Sequence, residues 1–145
     1  MYGYDGGKQV KGRKRHILVD TQGLLLAVIV SEANMPERVG GCALLLEVES
    51  QMSNLSLIWV DAGYQGPNFS RVVEKLTQAK VEVVKRSSKA FEVLPRRWVV
   101  ERTFAWLVQN RRLVVDSEKL PEVSESLIEV AMTRLMLKRL AMSSA

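Results

Sequence analysis

A short apolar segment in the middle of the chain limits the possible folds most strongly. Leu55 to Val60 is apolar at every position except Ser56, and Asp61 follows it directly. The next six residues, Ala62-Gly63-Tyr64-Gln65-Gly66-Pro67, are dense in turn-forming types. An apolar run without alternation is typical of a strand buried on both faces of a sheet. The segment therefore predicts a covered sheet with Asp61 at the carboxyl end of a strand.

The segments on either side of this strand alternate between strand and helix patterns. His16 to Val19 and Leu24 to Val30 are β-prone runs, and the turn sequence 20–23 between them predicts a hairpin. Helices are predicted over about 36–51, 68–79, 95–112 and 121–142, with a further short strand at 81–84. Residues 1–15 show no hydrophobic period, and 85–94 are predicted to form a polar loop. This order indicates an α/β fold in which helices cover a mixed sheet.

Length and composition fit one globular domain. The chain has 145 residues, of which 47% are hydrophobic, so it can bury a substantial core. Its single cysteine, Cys42, excludes an internal disulfide framework and fits a reducing cytoplasm. No secretory signal is visible, and the longest uninterrupted apolar run, 24–30, is too short to cross a bilayer. We expect a single cytoplasmic domain over residues 1–145.

Positive charge is concentrated in two segments. Residues 1–16 carry five Lys or Arg against one Asp, and residues 85–112 carry eight against two Glu. The whole chain has a formal net charge of +5, so the remainder is acidic. Such a distribution suits a polyanionic partner, with nucleic acid the first candidate. Ordinary solvated faces would give the same pattern, and both interpretations stay open.

Two carboxylates, Asp61 and Glu101, are candidate catalytic and metal-binding groups. Asp61 lies where α/β proteins place functional side chains, although Asp-x-Gly sequences also simply form turns. Glu101 lies in a predicted helix one turn after Arg97, and the alternative role for this pair is an exposed ion pair. Carboxylates are preferred ligands of Mg²⁺, and two such ions can serve phosphoryl transfer. Two acids permit this chemistry without establishing it.

The remaining candidates point to structural roles. His16 is the only histidine and has no second nitrogen or sulfur ligand nearby in sequence, so we expect a surface or strand-edge role for it. Asp20 is predicted to be a turn residue. The sequence has no P-loop, dinucleotide-binding fingerprint, nucleophile elbow or metalloprotease motif.

Three segments resemble the DDE-class transposases of bacterial insertion sequences. They are Gly3 to Asp20 (GYDGGKQVKGRKRHILVD), Trp59 to Tyr64 (WVDAGY) and Leu94 to Leu107 (LPRRWVVERTFAWL). The likeness runs from residue 3 to about residue 141, and the last motif is long and ordered. The resemblance implies an RNase H-like fold in which three acids bind two Mg²⁺ ions.

The resemblance also assigns roles to single positions. Asp61 matches the second acid of the family, Glu101 matches the third, and Arg97 matches an arginine that contacts DNA or braces the glutamate. The chain departs from the family at Leu94, where a tyrosine is frequent, and at Val108, where a basic residue is usual.

The larger departure concerns the first acid. In the family it lies on the first strand of the sheet, upstream of the basic Lys-Gly-Arg-Lys-Arg region (residues 11–15), but here only Met1 and Tyr2 precede the motif. Asp5 and Asp20 are poor substitutes because their patterns predict a loop and a turn. The resemblance therefore indicates an N-terminally truncated catalytic domain with its first strand missing. It would be the second frame of a split transposase or a relic.

The implied activity is metal-dependent DNA cleavage and strand transfer at insertion-sequence ends. Phosphate contacts are expected from nine basic residues: Lys8, Lys11, Arg13, Lys14, Arg15, Arg96, Arg97, Arg111 and Arg112. Expected partners are DNA, the upstream half of a split transposase and further copies in a synaptic complex, with no membrane. We expect the isolated chain to be catalytically silent. The alternatives are a non-catalytic DNA-binding fragment that modulates the full-length enzyme, or an unstable relic.

Overall fold

The computed structural model describes residues 2–52, 54–84 and 95–143. The N-terminal half contains strands β1 (Gly3–Asp5), β2 (Val10–Val19) and β3 (Leu25–Glu32), helix α1 (Glu37–Val48) and a 3-10 turn (Glu49–Gln51). It continues with strand β4 (Leu57–Val60), a 3-10 turn (Ala62–Tyr64), helix α2 (Pro67–Thr77) and strand β5 (Lys80–Val83). The C-terminal part contains helices α3 (Pro95–Val108), α4 (Arg111–Val114) and α5 (Pro121–Ser143).

The strands form two small sheets. Strands β1, β2 and β3 are antiparallel in that order, whereas β4 and β5 are parallel, and no strand ladder joins the two sheets within the described ranges. The predicted hairpin turn is confirmed, since Asp20 Oδ1 accepts hydrogen bonds from the backbone N–H groups of Gln22 (2.8 Å) and Leu24 (2.9 Å). The α/β class is confirmed, and the arrangement is consistent with an RNase H-like fold.

The basic N-terminal segment forms strands, although its sequence shows no hydrophobic period. Strand β2 extends back to Val10, and the pairs Arg13–Glu32 and Lys14–Ser31 continue the hairpin ladder. The short strand β1 then pairs with residues 10–12 of β2. The neighbouring strands β1 and β3 supply the hydrogen bonds that make this segment a strand. The side-chain pattern of the segment alone does not predict this pairing.

The predicted helix over 95–112 is two helices. Asn110 has an extended backbone (φ −89°, ψ 112°), which ends the helical path between α3 and α4. Its side-chain amide donates to the carbonyl of Leu107 at 3.1 Å, which satisfies a helix-end acceptor. The polar loop predicted for residues 85–94, including Leu94, lies outside the described residues.

Hydrophobic residues pack on both faces of strand β2. One cluster lies between the hairpin and helices α3 to α5, and its buried members are Val28, Val30, Leu107, Leu113, Ile128 and Met132. The other lies among α1, α2, β4 and β5, and its buried members are Leu45, Ile58, Phe69, Val73 and Ala79. Ile17 packs on the first cluster and Leu18 on the second, because successive strand side chains point to opposite faces. Helices therefore cover both faces, as the sequence predicts.

Helix α3 is anchored to the hairpin turn. Thr103 is fully buried, and its hydroxyl donates to the carbonyl of Gly23 at 2.6 Å. Arg102 Nη2 donates to the carbonyl of Gln22 at 2.7 Å. Gly23 has a φ of +83°, a conformation that glycine adopts without strain. These contacts fix the segment of α3 that carries Glu101.

Replacing Thr103 with Val should lower the free energy of unfolding by about 1–3 kcal/mol, because the Gly23 carbonyl loses its buried donor while the side chain keeps its size. The matched control is Thr133→Val on the exposed side of α5, which should change stability by less than about 0.5 kcal/mol. Urea unfolding followed by circular dichroism measures both. Equal stability of the two variants would contradict the anchoring role of Thr103.

Candidate active site

Asp61 directly follows strand β4, as the apolar run predicts, and the residue is exposed. Its Oδ1 accepts a hydrogen bond from the backbone N–H of Gly63 at 2.9 Å, and the residue caps the 3-10 turn that follows. Asp61 thus has the turn-forming role that the sequence left open. That hydrogen bond also fixes the carboxylate at the edge of the sheet.

Glu101 lies on α3, and it lines the same cavity as Asp61. This cavity, here called the site cavity, has a volume of about 820 Å³ and is lined by parts of β2, α1, β4 and α3. Both carboxylates belong to exposed residues. Two acids separated by 40 positions in the sequence therefore reach one solvent-accessible space. Within the described ranges, no group of three His, Cys, Asp or Glu side chains is placed to hold a metal ion.

The carboxylates of Glu37 and Asp116 also line the site cavity, and that of Glu37 lies beside the turn after β4. Lys14 Nζ lies 3.1 Å from its Oε1, and Glu37 packs beside Gly63 in the turn after β4. The pKa of Glu37 is lowered by a hydrogen bond from its own backbone N–H and then by Lys14. Sequence reasoning missed this residue, although a glutamate directly after Pro36 in the first turn of a helix is a recognisable favourable position.

We expect a surface or strand-edge role for His16 from the sequence, but the residue is buried, with an exposed fraction of 3%, so the surface role is wrong. Its Nε2 lies 2.9 Å from the hydroxyl of Ser31, and its Nδ1 lies 3.5 Å from the hydroxyl of Tyr64. Helix α1 crosses over the ring at Gly40, where an added Cβ would overlap the imidazole ring of His16. The missing side chain at that helix position allows the close approach, and the local sequence around His16 gives no sign of it.

Tyr64 connects this buried histidine to the acids. Burial, and then the negative charges of Asp61 and Glu37, raise the pKa of Tyr64 to about 12. Its ring also packs against Phe69, with 5.5 Å between centroids. The phenol therefore keeps its proton at neutral pH and borders the site cavity as a neutral hydroxyl.

The stability of the domain should decrease as the pH falls below about 6.5. Burial, and then the charge of Lys14, lower the pKa of His16 in the folded state, although Glu37 opposes the shift. The unfolded chain therefore binds the proton first, and unfolding free energy is lost at up to about 1.4 kcal/mol per pH unit below the unfolded pKa. Because His16 is the only histidine, chemical unfolding between pH 7.5 and 5.5 measures its contribution. A His16→Gln variant with the same slope would contradict this prediction.

Three of the predicted phosphate-binding residues are held by partners within the protein. Arg13 has a side chain that is only 1% exposed, and it bonds the carboxylate of Asp116 and the carbonyl of Lys119. Lys14 donates to the carbonyl of Met35 at 3.0 Å in addition to its contact with Glu37. Arg15 Nη1 donates to the carbonyl of Leu113 at 2.8 Å. These contacts join strand β2 to its neighbours, and phosphate binding by the three residues stays a prediction.

The other basic candidates differ in exposure. Lys8, Lys11 and Arg111 are exposed, and Lys8 also lines the site cavity. Arg112 is exposed and forms an ion pair with Glu118 at 2.8 Å. The side chains of Arg96 and Arg97 lie outside the described part of the chain.

Comparison with known families decides which family the chain belongs to. The family model described as "Transposase DDE domain" matches residues 1–136. The chain belongs to this family. The resemblance carried by its three motifs is thereby confirmed.

This DDE transposase domain is similar to a curated relative. It is 27% identical over 127 residues to the "Putative transposase for insertion sequence element IS402" of Burkholderia cepacia. The alignment covers 82% of this chain but 60% of that protein, so the domain spans less than two thirds of the relative's length. No solved structure matches the chain. In the described residues, none of the helices is long and apolar enough to cross a membrane.

The transposase domain offers some, but not all, of the oxygen ligands expected for a hard cation such as Mg²⁺. Asp61 and Glu101 offer carboxylate oxygens to the site cavity, the ligand type that Mg²⁺ prefers. Magnesium usually keeps several waters, so two carboxylates can contribute to such a site. The nearby Glu37 is already paired with Lys14, which makes it a weak candidate for a third ligand.

Proposed function

We propose that this DDE transposase domain is part of an enzyme that cuts DNA at insertion-sequence ends and joins the freed 3′ ends to target DNA. The observation that carries the proposal is that Asp61 and Glu101, the two positions that match family acids, open into one cavity. Family membership supports the reaction class.

In this proposal Asp61 and Glu101 would hold divalent metal, with Mg²⁺ the expected ion. When bound, such ions activate an attacking oxygen and stabilise the leaving one in phosphoryl transfer. The chain itself supplies orientation: the Gly63 N–H fixes Asp61, and the anchored helix α3 fixes Glu101. Tyr64 keeps its phenolic proton near Asp61 and Glu37 and can donate a hydrogen bond to a phosphate oxygen. Arg97, one turn before Glu101, would contact DNA or brace that glutamate.

In this proposal the isolated chain has no catalytic activity. Two carboxylates are fewer than the three that the family uses, and the described residues hold no third acid grouped with them as metal ligands. Cleavage would then need the strand that carries the first aspartate, supplied by the upstream half of the transposase. Further copies of the enzyme would join in the complex that pairs the two element ends.

DNA binding in this proposal depends first on the exposed cations. Lys8, Lys11 and Arg111 are available to phosphates without breaking any described contact, whereas Arg13 is buried against Asp116. Such contacts release counterions and read no sequence, so they give weak specificity and a strong dependence on salt.

A Lys8→Ala/Lys11→Ala double variant should flatten the salt dependence of DNA binding. Each lost phosphate contact lowers the slope of log affinity against log salt by about 0.9, so the expected change is about two. Fluorescence anisotropy with duplex DNA in EDTA measures this without cleavage. The control is Lys75→Ala/Lys138→Ala, which removes the same charge from exposed positions on α2 and α5. Equal slopes for the two double variants would place the DNA elsewhere.

The second candidate function is a non-catalytic DNA-binding fragment that modulates the full-length transposase. The observation in its favour is that the described residues group no three metal ligands. It predicts salt-sensitive DNA retention that does not depend on Mg²⁺, and no cleavage after an upstream half is added. Cleavage that appears only in the mixture would favour the enzyme.

A further inference from the structure

We propose that one face of the ribbon formed by strands β1 and β2 binds unpaired bases of single-stranded DNA. Tyr2 and Tyr4 offer the faces of their rings to two bases, and the exposed Lys11 and Lys119 offer positive charge to the phosphates. These four residues are here called the tyrosine platform. The inference rests on the proposed function for its biological role, but its binding chemistry follows from the residues of this face alone.

Tyr4 points to the face of the ribbon that is opposite to helix α1. Its neighbours in β1 mark the other face, since a Cβ added at Gly3 would overlap Asn34. Asp5 Oδ2 lies 3.7 Å from Lys14 Nζ, which also contacts α1. Successive side chains of a strand point to opposite sides, so Tyr4 is directed away from these groups. Its exposed fraction is 58%, which leaves the ring accessible to a ligand.

Tyr2 lies on the same face, above the buried Arg13. The guanidinium carbon of Arg13 is 4.7 Å from the centroid of the Tyr2 ring. Arg13 follows Lys11 by two positions in β2, and Lys11 lies directly opposite Tyr4 in the antiparallel ladder, so all four side chains share one face. Tyr2 is 47% exposed although Arg13 is buried. Arg13 therefore covers one face of the Tyr2 ring from within, and the opposite face of the ring is open to solvent.

The spacing of the two rings favours bases that are not stacked on each other. Tyr2 and Tyr4 are two positions apart, and an extended chain advances about 3.3 Å per residue, so the side chains start roughly 7 Å apart. Bases of a stacked strand follow one another at about 3.4 Å. Two successive bases can therefore each cover one tyrosine only where the DNA strand is stretched and unpaired.

Two exposed lysines border the rings. Lys11 is the ladder partner of Tyr4, and Lys119 is close to the other ring because its carbonyl accepts a hydrogen bond from Arg13 Nη2 at 2.7 Å. The carboxylate of Asp116 is also near, but it is paired with Arg13 at 3.4 Å. Lysine is depleted at protein interfaces, so aromatic rings bordered by lysines favour a polyanion over a protein segment. Aromatic faces beside cations are the chemistry with which proteins bind single strands.

This chemistry differs from that of the phosphate contacts in the proposed function. Phosphates are offered by a duplex and by a single strand alike, whereas stacking on an aromatic ring requires a base whose face is exposed. In the proposed function, DNA strands are cut and their ends are moved to new DNA. Such ends are a source of unpaired nucleotides, and the tyrosine platform would hold one of them against the domain.

Two oligonucleotides that differ only in their bases test the tyrosine platform. One is an oligothymidylate of about 12 nucleotides, and the other is a sugar-phosphate chain of the same length without bases. Fluorescence anisotropy with the full chain in EDTA, at one salt concentration, measures both affinities. The oligothymidylate should bind at least about 20-fold more tightly, because each of two stacked bases adds at least about fivefold to the phosphate contacts that both probes make.

Substitutions at Tyr4 assign this preference to the ring. Tyr4→Leu keeps an apolar side chain but removes the ring, so the preference for oligothymidylate should fall at least about fivefold. Tyr4→Phe keeps the ring and should bind both probes within about twofold of the unaltered protein. The matched control is Lys11→Ala, which should weaken binding of both probes to the same extent because it removes a phosphate contact. Circular dichroism spectra of the variants should coincide, since Tyr4 and Lys11 are exposed.

Several results would overturn the inference. They are equal affinity of the unaltered chain for the two probes, absence of binding, and a preference that Tyr4→Leu leaves unchanged. An equal loss of affinity for a duplex in Tyr4→Leu would show that the tyrosine contacts paired DNA instead. If Tyr4→Leu changed the sedimentation of the chain and not its preference, this face would be a contact between copies.

The outcome is independent of DNA cleavage. Neither probe bears element ends, and EDTA removes divalent metal, so no step of the proposed reaction enters the measurement. A completed transposase that bound oligothymidylate through the tyrosines but did not cleave DNA would refute only the proposed function. Cleavage without any preference for bases would refute only the tyrosine platform.

Discussion

Replacing Asp61 with Asn, or Glu101 with Gln, in the completed transposase should reduce Mg²⁺-dependent DNA cleavage by about 1000-fold or more. Each change removes a negative charge from the site cavity while keeping the size of the side chain. Metal-ion stabilisation of the transition state is worth several kcal/mol, and about 4 kcal/mol corresponds to a thousandfold change in rate. Because both residues are exposed, the folded state should lose little stability.

The measurement is nicking of DNA that bears the element ends, with the chain and its upstream half mixed and Mg²⁺ present. The matched controls are Glu74→Gln on α2 and Glu129→Gln on α5, which neutralise exposed acids outside the site cavity. They should retain activity within about threefold. Activity of the Asp61 or Glu101 variant within tenfold of the unaltered protein would refute the assignment of metal ligands.

Replacing Asp116 with Ala should cause the largest loss of stability among single substitutions of polar residues, about 3–5 kcal/mol. The carboxylate accepts hydrogen bonds from the hydroxyl of Ser124 at 2.6 Å and from the backbone N–H of Glu118 at 3.2 Å. It also balances Arg13, whose side chain is 1% exposed. Removal of one partner of a buried pair leaves a charge in a poorly solvated place, which is where the cost arises.

The matched control for Asp116 is Glu118→Ala. Glu118 pairs with Arg112 at 2.8 Å, but the Arg112 side chain is 66% exposed, so this pair should contribute less than about 1 kcal/mol. Urea unfolding of both variants separates the two cases. A loss below about 1 kcal/mol for Asp116→Ala would show that Arg13 is solvated or satisfied by its contact with the Lys119 carbonyl.

Patterns that arise from neighbouring residues predicted most of the elements. The apolar run before Asp61 gave strand β4, and prolines at 95 and 121 marked the first residues of α3 and α5. The turn at Asp20 also followed from local chemistry, because its carboxylate bonds backbone N–H groups within four residues. The sequence pattern did not predict that the basic segment is a strand, because its pairing with β3 depends on residues distant in the chain.

The roles of single polar side chains were the least predictable part of the candidate site. Arg13, Lys14 and Arg15 have the composition of a nucleic-acid-binding segment, yet each bonds a group elsewhere in the fold. His16 looked like a surface residue but is covered by α1 at Gly40. Glu37 joined the site cavity only because α1 begins beside the turn after β4.

The sequence by itself determined the family and the alternation of strands and helices, because both follow from the order and spacing of neighbouring residues. The tertiary structure decided that Asp61 and Glu101 line one cavity, that the basic strand β2 is bonded to other parts of the fold, and that the described strands form two separate sheets. Those outcomes depend on contacts between residues far apart in the chain. Burial and hydrogen-bond geometry are set there, and no local pattern encodes them.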